Sequence, residues 1–422
     1  MTGSPAPNWP DGPAGGVLGD GRFASATDRP RSVDELGEAV ARRVAEGHAI
    51  YPQGGSTALD FGGIPGRPGV AVDLRGLGRV VDYPVADMTI TVEAGITLAA
   101  LREVLAREGQ RLSIEAPRAN LATIGGIYAT DTSGPRRFGH GRPRDQIIGV
   151  RYVDAGGRPI KGGGRVVKNV AGYDLPKLLT GSMGTLGILA ELTLKVRPLP
   201  EASALAWVPY PSLAEAALAL EGLNTSATRP VALELLGPSA SGRIGGPIDL
   251  PGGGWVLVVG FEDNAASVAW QVGRLEQELG RADPIVRDGD ESGPLWSALA
   301  DAQEGETRLT FKVNLRPSMV AGFLADVDPG RWSTLSHAGN GIIRGHAEGE
   351  PDLAAIAPEV DRLRAEAVRL GGNLTLPRCP TDWKGRLLVW GRPRADWAIA
   401  DRVKRALDPA GVLNPGRFVG TI

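Results

Sequence analysis

Four segments of this 422-residue chain carry residue types and spacings that could do chemistry. The first is Pro52-Gln53-Gly54-Gly55-Ser56-Thr57, directly after the apolar run Ala49-Ile50-Tyr51. Consecutive backbone N–H groups in a glycine-rich turn form an anion nest, and Ser56 and Thr57 add hydroxyl donors. A P-loop would need a lysine before the hydroxyl residue, and a dinucleotide fingerprint would need a helix opening on its glycines. Neither pattern is present, so the loop reads as a phosphate cradle of another fold or as a plain tight turn. The second segment joins Ala122-Thr123-Ile124-Gly125-Gly126, Thr130-Asp131-Thr132-Ser133-Gly134 and Pro135-Arg136-Arg137-Phe138-Gly139-His140-Gly141. Its small, hydroxyl-rich composition with two arginines suits backbone lying flat along a ligand that carries a pyrophosphate. The plainer reading is an irregular surface loop, but long structureless stretches inside compact domains are usually functional. The third runs from Lys168 to Leu189, KNVAGYDLPKLLTGSMGTLGIL. The fourth is Ser336-His337-Ala338-Gly339-Asn340-Gly341-Ile342-Ile343-Arg344-Gly345-His346. It reads as a glycine-turn hairpin whose Arg344 and His346 share one strand face.

The elements that must position these segments are short. Ser32 and Glu35 form a capping box for a helix carrying Leu36, Val40 and Val44. Thr97 caps a second helix. Short apolar runs at 70–74, 80–83, 88–94, 146–153 and 184–196 read as strands, and 117–145 lacks periodicity. This is α+β rather than a regular doubly wound sheet. Pro198-Leu199-Pro200 marks a boundary. Beyond it, strands near 204–208, 231–235, 255–261 and 309–314 alternate with a helix capped by Ser212, where Glu215 completes a second capping box, and with helices near 265–279 and 319–324. That β-α-β-β-α-β-like order predicts a ferredoxin-like α+β layer. The segment 238–254 reads as a Gly/Pro/Ser loop, and no internal repeat is evident. The expected division is a flexible tail over 1–28, a first domain over 29–198, a second over 199–372, and a C-terminal segment over 373–422.

Composition excludes several functions. Lys+Arg is 46 and Asp+Glu is 48, a net charge of -2 that gives no reason to expect nucleic-acid binding. The one cysteine, Cys379, rules out an intrachain disulfide, and the chain alone cannot supply the thiolates of an iron–sulfur cluster. No run of ~18 apolar residues suggests a membrane span. The first residues lack a basic and apolar leader pattern, so the default compartment is the cytoplasm. Glycine, at 60 residues, is abundant, which suits close approach of backbone to a ligand.

Together the first three segments resemble the FAD-binding domain of the vanillyl-alcohol-oxidase / p-cresol-methylhydroxylase (PCMH) family. Within that family, the chain is most similar to the FAD-binding E-type subunits of bacterial glycolate oxidases. The C-terminal strings LPRCPTDWKGRLLVWGRP and LDPAGVLNPGRF extend the likeness. The resemblance implies a two-part FAD-binding domain, a cap or substrate domain, and a C-terminal return to the FAD domain. It implies that Pro52, Gln53, Gly54, Gly55, Ser56 and Thr57 hold the pyrophosphate, continued by Thr123, Gly125 and Gly126. It places Ser133, Gly134, Gly139, Arg144 and Asp145 along the flavin and ribityl chain. Gly181, Ser182, Gly184, Gly187 and Ile188 would pass the adenine end, and Asn414 would return to the cofactor.

No His or Cys lies in 52–57, so non-covalent FAD is expected, with His140 structural. Relatives with a metal carry H-x-G-D-G-N-x-H. Here Asn340 replaces the acid and Arg344 the second histidine, so no metal is expected and no catalytic residue is assigned. The resemblance implies a D-type flavoprotein partner, an iron–sulfur subunit and a small 2-hydroxy acid substrate, with peripheral attachment at the inner membrane left open. The incomplete histidine motif favours an accessory flavoprotein that passes electrons while the D-type partner holds the better-equipped glycolate site. The competing readings are a self-sufficient FAD-dependent 2-hydroxy-acid dehydrogenase and a cofactor-free assembly subunit.

Overall fold

The computed structural model describes residues 16–164, 172–223, 225–279 and 284–422. Lys168 to Ala171 of the third segment, and residues 1–15 of the expected tail, lie outside the described residues. The first helix, Val33–Ala45, starts where its capping box stands: Ser32 Oγ accepts from Glu35 N at 3.1 Å, and Glu35 Oε2 accepts from Arg31 N at 2.8 Å. Its apolar stripe, Leu36 and Val40, buries against Ile50, Val70 and Val72. Those side chains belong to a parallel three-stranded sheet ordered Thr27–Asp28, Gly69–Asp73, Ala49–Gln53. Beside it lies a five-stranded antiparallel sheet ordered Pro159–Gly163, Ile147–Val153, Ile188–Lys195, Thr89–Glu93, Val80–Asp82. The two sheets share one core, because Val153, Ile188 and Ala190 pack into the cluster around Leu36.

Part of the expected tail, residues 17–28, forms strands. Val17–Gly19 pairs with Arg22–Phe23, and Thr27–Asp28 joins the parallel sheet. The turn residue Asp20 holds a left-handed φ of 53° and is buried. Its carboxylate meets Lys384 Nζ at 2.6 Å and Arg417 Nη1 at 2.7 Å. Partners nearly a whole chain away are invisible to a local reading of composition.

Residues 202–378 build an eight-stranded sheet in which every neighbouring pair is antiparallel. Its order is Ile285–Asp288, Ala202–Tyr210, Trp255–Asp263, Ala232–Leu236, Trp332–His337, Ile342–Ala347, Thr310–Asn314, Asn373–Arg378. The second half runs strand, helix, strand, strand, helix, strand; the first follows the same order with one more helix between its middle strands, and the two halves meet at Ala232–Leu236 and Trp332–His337. The repeat lies in connectivity, not in sequence. The strand Asn373–Arg378 completes the second half by pairing with Thr310–Asn314, so the boundary expected at 372 cuts the sheet one strand early. The expected loop 238–254 begins as the helix Pro238–Gly245, because Ala240 and Ile244 have an apolar sheet face to bury against.

Strand alternation divides the second half of this sheet into two faces. Phe311 and Val313 enter the core with Trp332 and Ile343. Thr310, Lys312 and Asn314 point the other way, opposite His346, Arg344 and Ile342 in register. Gly345 is required there, since a Cβ would lie 2.2 Å from the Phe311 ring. The C-terminal helix Trp397–Leu407 packs on the first half through Lys404, whose Nζ donates to Thr185 O and Leu413 O at 2.8 Å. Among the described residues no helix is long and apolar enough to cross a membrane.

Candidate active site

The loop after Ala49–Gln53 is set by backbone contact. A Cβ on Gly54 would lie 2.0 Å from Thr123 Oγ1, and one on Gly55 would lie 1.7 Å from Leu121 O. Glycine therefore lets the 121–123 segment press directly on the loop. Ser56 takes a left-handed φ of 57°. The N–H groups of Gly54, Gly55, Ser56 and Thr57 find no acceptor among the described residues. A row of unspent backbone donors beside a cleft fits an anionic group such as a pyrophosphate.

That cleft, of about 100 Å³, is lined by Pro52 to Leu59, Thr123, Gly126, Ala129, Thr130, Met183, Asn414 and Arg417. The stretch read as aperiodic supplies its other wall as a short helix, Ile124–Thr130, whose N-cap Thr123 accepts from Gly126 N. Two glycines hid that helix from a propensity reading. Gly125 is needed because Ala94 Cβ sits 2.7 Å from where its own Cβ would be.

Several expected contacts stand behind the cleft rather than in it. Gly125 faces the strand Thr89–Glu93 and its N–H donates to Ala94 O. Gly181 donates to Tyr128 O, Ser182 is buried with its hydroxyl on Leu179 O, and Gly187 packs on Tyr152. Ile188 is a core residue. Gly184, at φ 70°, leaves room for Pro52. Residues 133–145 turn toward the eight-stranded sheet instead of along the cleft. Ser133 Oγ accepts from Arg137, Gly134 backs onto Glu115, and Gly139 N donates to Val231 O at 3.0 Å. Arg144 and Asp145 are exposed, with Asp145 Oδ2 accepting from Arg142 N. His140 contacts Arg111 and Glu262, away from the cleft.

The cleft runs into a cavity of about 340 Å³ between the first half of the chain and the eight-stranded sheet; both are lined by Ser56 to Leu59, Gly126 and Thr130. Lys312 and Arg344, cross-strand neighbours, form its sheet side together with Thr310. Neither has an ion-pair partner among the described residues, and Arg344 Nε is buried without a hydrogen bond. Burial and the charges of Arg344 and Arg137 push the Lys312 ammonium down to about 7. Burial and Arg137 likewise lower Arg344 to about 10. Asp131 lines the same cavity with Oδ1 unbonded, and burial raises its carboxyl above the usual range. The sequence signal for Lys312 was a lysine alternating between Phe311 and Val313 in a strand with one buried face, and it was missed.

His337 is fully engaged: Nδ1 lies 2.7 Å from Glu234 Oε2, and Nε2 lies 3.2 Å from Gln303 Oε1. The Gln303 amide nitrogen donates to Ala300 O, which turns its oxygen toward the ring, so Nε2 donates. No cluster of three or more His, Cys, Asp or Glu suited to a metal occurs among the described residues.

Comparisons with known proteins agree with this geometry. Residues 24–163 match the FAD binding domain family, and residues 199–329 and 386–418 match the C-terminal domain of FAD linked oxidases. A D-2-hydroxyglutarate dehydrogenase of Xanthomonas citri pv. viticola is 26% identical over 93% of this chain and 88% of that one. The glycolate oxidase subunit GlcE of Escherichia coli is 41% identical over 141 residues, 33% of this chain and 40% of that one. A solved alkyldihydroxyacetonephosphate synthase shares the fold, with a TM-score of 0.65 and 19% identity over 92% of this chain and 75% of that one. With an anion-seeking loop, a continuous cleft and both domain families in one chain, the protein belongs to the PCMH-type FAD-linked oxidoreductases and takes FAD as its cofactor.

Proposed function

We propose that the chain oxidises a short 2-hydroxy acid, glycolate to glyoxylate, as the FAD-bearing subunit of a glycolate oxidase complex that passes electrons to an iron–sulfur partner. The observation that carries the acid reading is the cation pair Lys312 and Arg344, facing the cavity with no ion-pair partner among the described residues. Two cations in a confined cavity are stabilised by an arriving carboxylate. Bound FAD would supply the hydride-accepting chemistry of the oxidation. Lys312 and Arg344 hold the carboxylate and so fix the α-carbon. Asp131 takes the hydroxyl proton as the carbonyl forms. Pro52 to Thr57, Thr123, Gly126 and Asn414 are the proposed cofactor contacts, without a covalent link. The complex rests on the likeness to the GlcE subunit and on Cys379, a single buried thiol.

The cation pair moves the balance from a purely accessory flavoprotein toward a site of the chain's own. We read the two halves of the eight-stranded sheet as two ferredoxin-like units forming the cap. The proposed division keeps 29–198 and 199 onward, and assigns 373–378 to the cap. The test is the visible spectrum of the purified chain before and after denaturation, then with glycolate under anaerobic conditions. Flavin bands that separate from the denatured protein and bleach with glycolate support the reading. Bands that glycolate leaves unchanged return the chain to an accessory role, and a colourless protein that takes up no FAD defeats both.

A further inference from the structure

We propose that Glu304 limits the length of acid the site accepts by closing off a distal-carboxylate subsite built from Arg118 and Arg378. The inference rests on the reading of the 340 Å³ cavity as the acid site. A second cavity, of about 710 Å³, lies alongside, and the two have Arg118, Glu304 and Arg378 in common. One oxygen, Glu304 Oε1, receives both guanidiniums: Arg118 Nη2, and Arg378 Nη2 at 3.2 Å. Each arginine is also held without Glu304. Arg118 N donates to Asp301 Oδ1 at 3.0 Å and its Nη2 to Thr57 O at 2.7 Å. Arg378 Nη1 donates to Gly305 O at 3.1 Å and Thr307 O at 3.2 Å.

Removing the Glu304 charge would therefore leave two anchored cations on the wall between the cavities. The far cavity is receptive to a polar chain end, since Ser333 Oγ is buried on its lining with no hydrogen bond among the described residues. An acid bound through its first carboxylate at Lys312 and Arg344 extends toward this wall. A short acid ends before it. A five-carbon dicarboxylic acid would bring its second carboxylate against Glu304, and like charges at close range are repulsive.

The test compares wild-type holoenzyme with Glu304→Gln and Glu304→Ala. Binding is measured calorimetrically with acetate and glutarate, which cannot be oxidised at an α-hydroxyl, and turnover with glycolate and 2-hydroxyglutarate. The expected result is a rise of about tenfold or more in glutarate affinity relative to acetate, and a matching shift in the kcat/KM ratio toward 2-hydroxyglutarate. Adding Arg378→Met to Glu304→Gln should cancel the gain. An unchanged ratio in folded Glu304 variants, with acetate still bound, overturns the role of Glu304 alone. Failure of wild type to bind either acid overturns the acid-site reading and this inference with it.

Discussion

A lysine held near neutrality makes two separate demands on pH. Lys312 has a pKa of about 7 in the folded protein against 10.5 for an unperturbed lysine. Below pH 7 both folded and unfolded chains carry the proton, and the full cost of burying the charge opposes folding. Between about 7 and 10.5 the unfolded chain binds a proton that the folded chain lacks, so this contribution to stability rises with pH. Lys312→Met should therefore raise the Tm of the ligand-free protein most at pH 6 and converge on wild type toward pH 10. Binding runs in the opposite sense. A carboxylate needs the ammonium form, so acid affinity in wild type should fall as pH rises through 7, and in Lys312→Met it should be weak and flat. Parallel Tm curves for the two proteins across pH 6–10 would remove Lys312 from this role.

The supporting elements show which sequence signals survive folding. Capping boxes did, because their partners are three residues away: Ser32 with Glu35, and Ser212 with Glu215, start helices where expected. The glycine loop 52–57 was legible as a tight turn rich in free backbone donors for the same local reason. The helix Ile124–Thr130 was not, because its Gly125 answers to Ala94, just past the strand Thr89–Glu93, rather than to helix propensity. Asp20 was unreadable in the same way, with its cations at 384 and 417. Tertiary contact decides what a poor local signal becomes. Gly55→Ala tests the tight element directly. Its methyl group would occupy the space of Leu121 O, 1.7 Å away, so the loop must move off the 121–123 segment. The expected outcome is a loss of FAD retention of about 1–3 kcal/mol, or roughly 5–150-fold, with a smaller fall in apoprotein Tm. Full flavin occupancy after gel filtration of the variant would show that the loop is not the cofactor's seat.

At the scale of the whole molecule, the cavity exists because two halves stay in register, and one buried carboxylate does much of the joining. Glu262, on the strand Trp255–Asp263, accepts from Arg111 Nη1 at 2.7 Å and from Arg136 Nε at 2.8 Å, with His140 Nε2 at 3.4 Å. Those three partners belong to the FAD-binding half, and Arg136 also pairs with Glu115 and stacks 3.6 Å over Trp296 of the C-terminal oxidase domain. Burial alone would raise the Glu262 carboxyl. Hydrogen bonds from His140 and Arg136 and the charge of Arg111 outweigh it and hold the group at about 2. Its contribution to stability is therefore complete above an unfolded value of 4.5 and is lost as pH falls from there toward 2. Glu262→Gln places the acid-form charge at neutral pH and strands Arg111 and Arg136 with one fewer anion. Breaking a buried pair of this kind costs about 3–5 kcal/mol. The loss falls on the junction rather than on either core, so calorimetry at pH 7 should resolve two unfolding transitions where wild type shows one. The variant should also lose part of the stability change that wild type shows between pH 4.5 and 2. A single transition with unaltered acid sensitivity would mean that apolar contact across the junction, not this carboxylate, holds the two halves over the cavity.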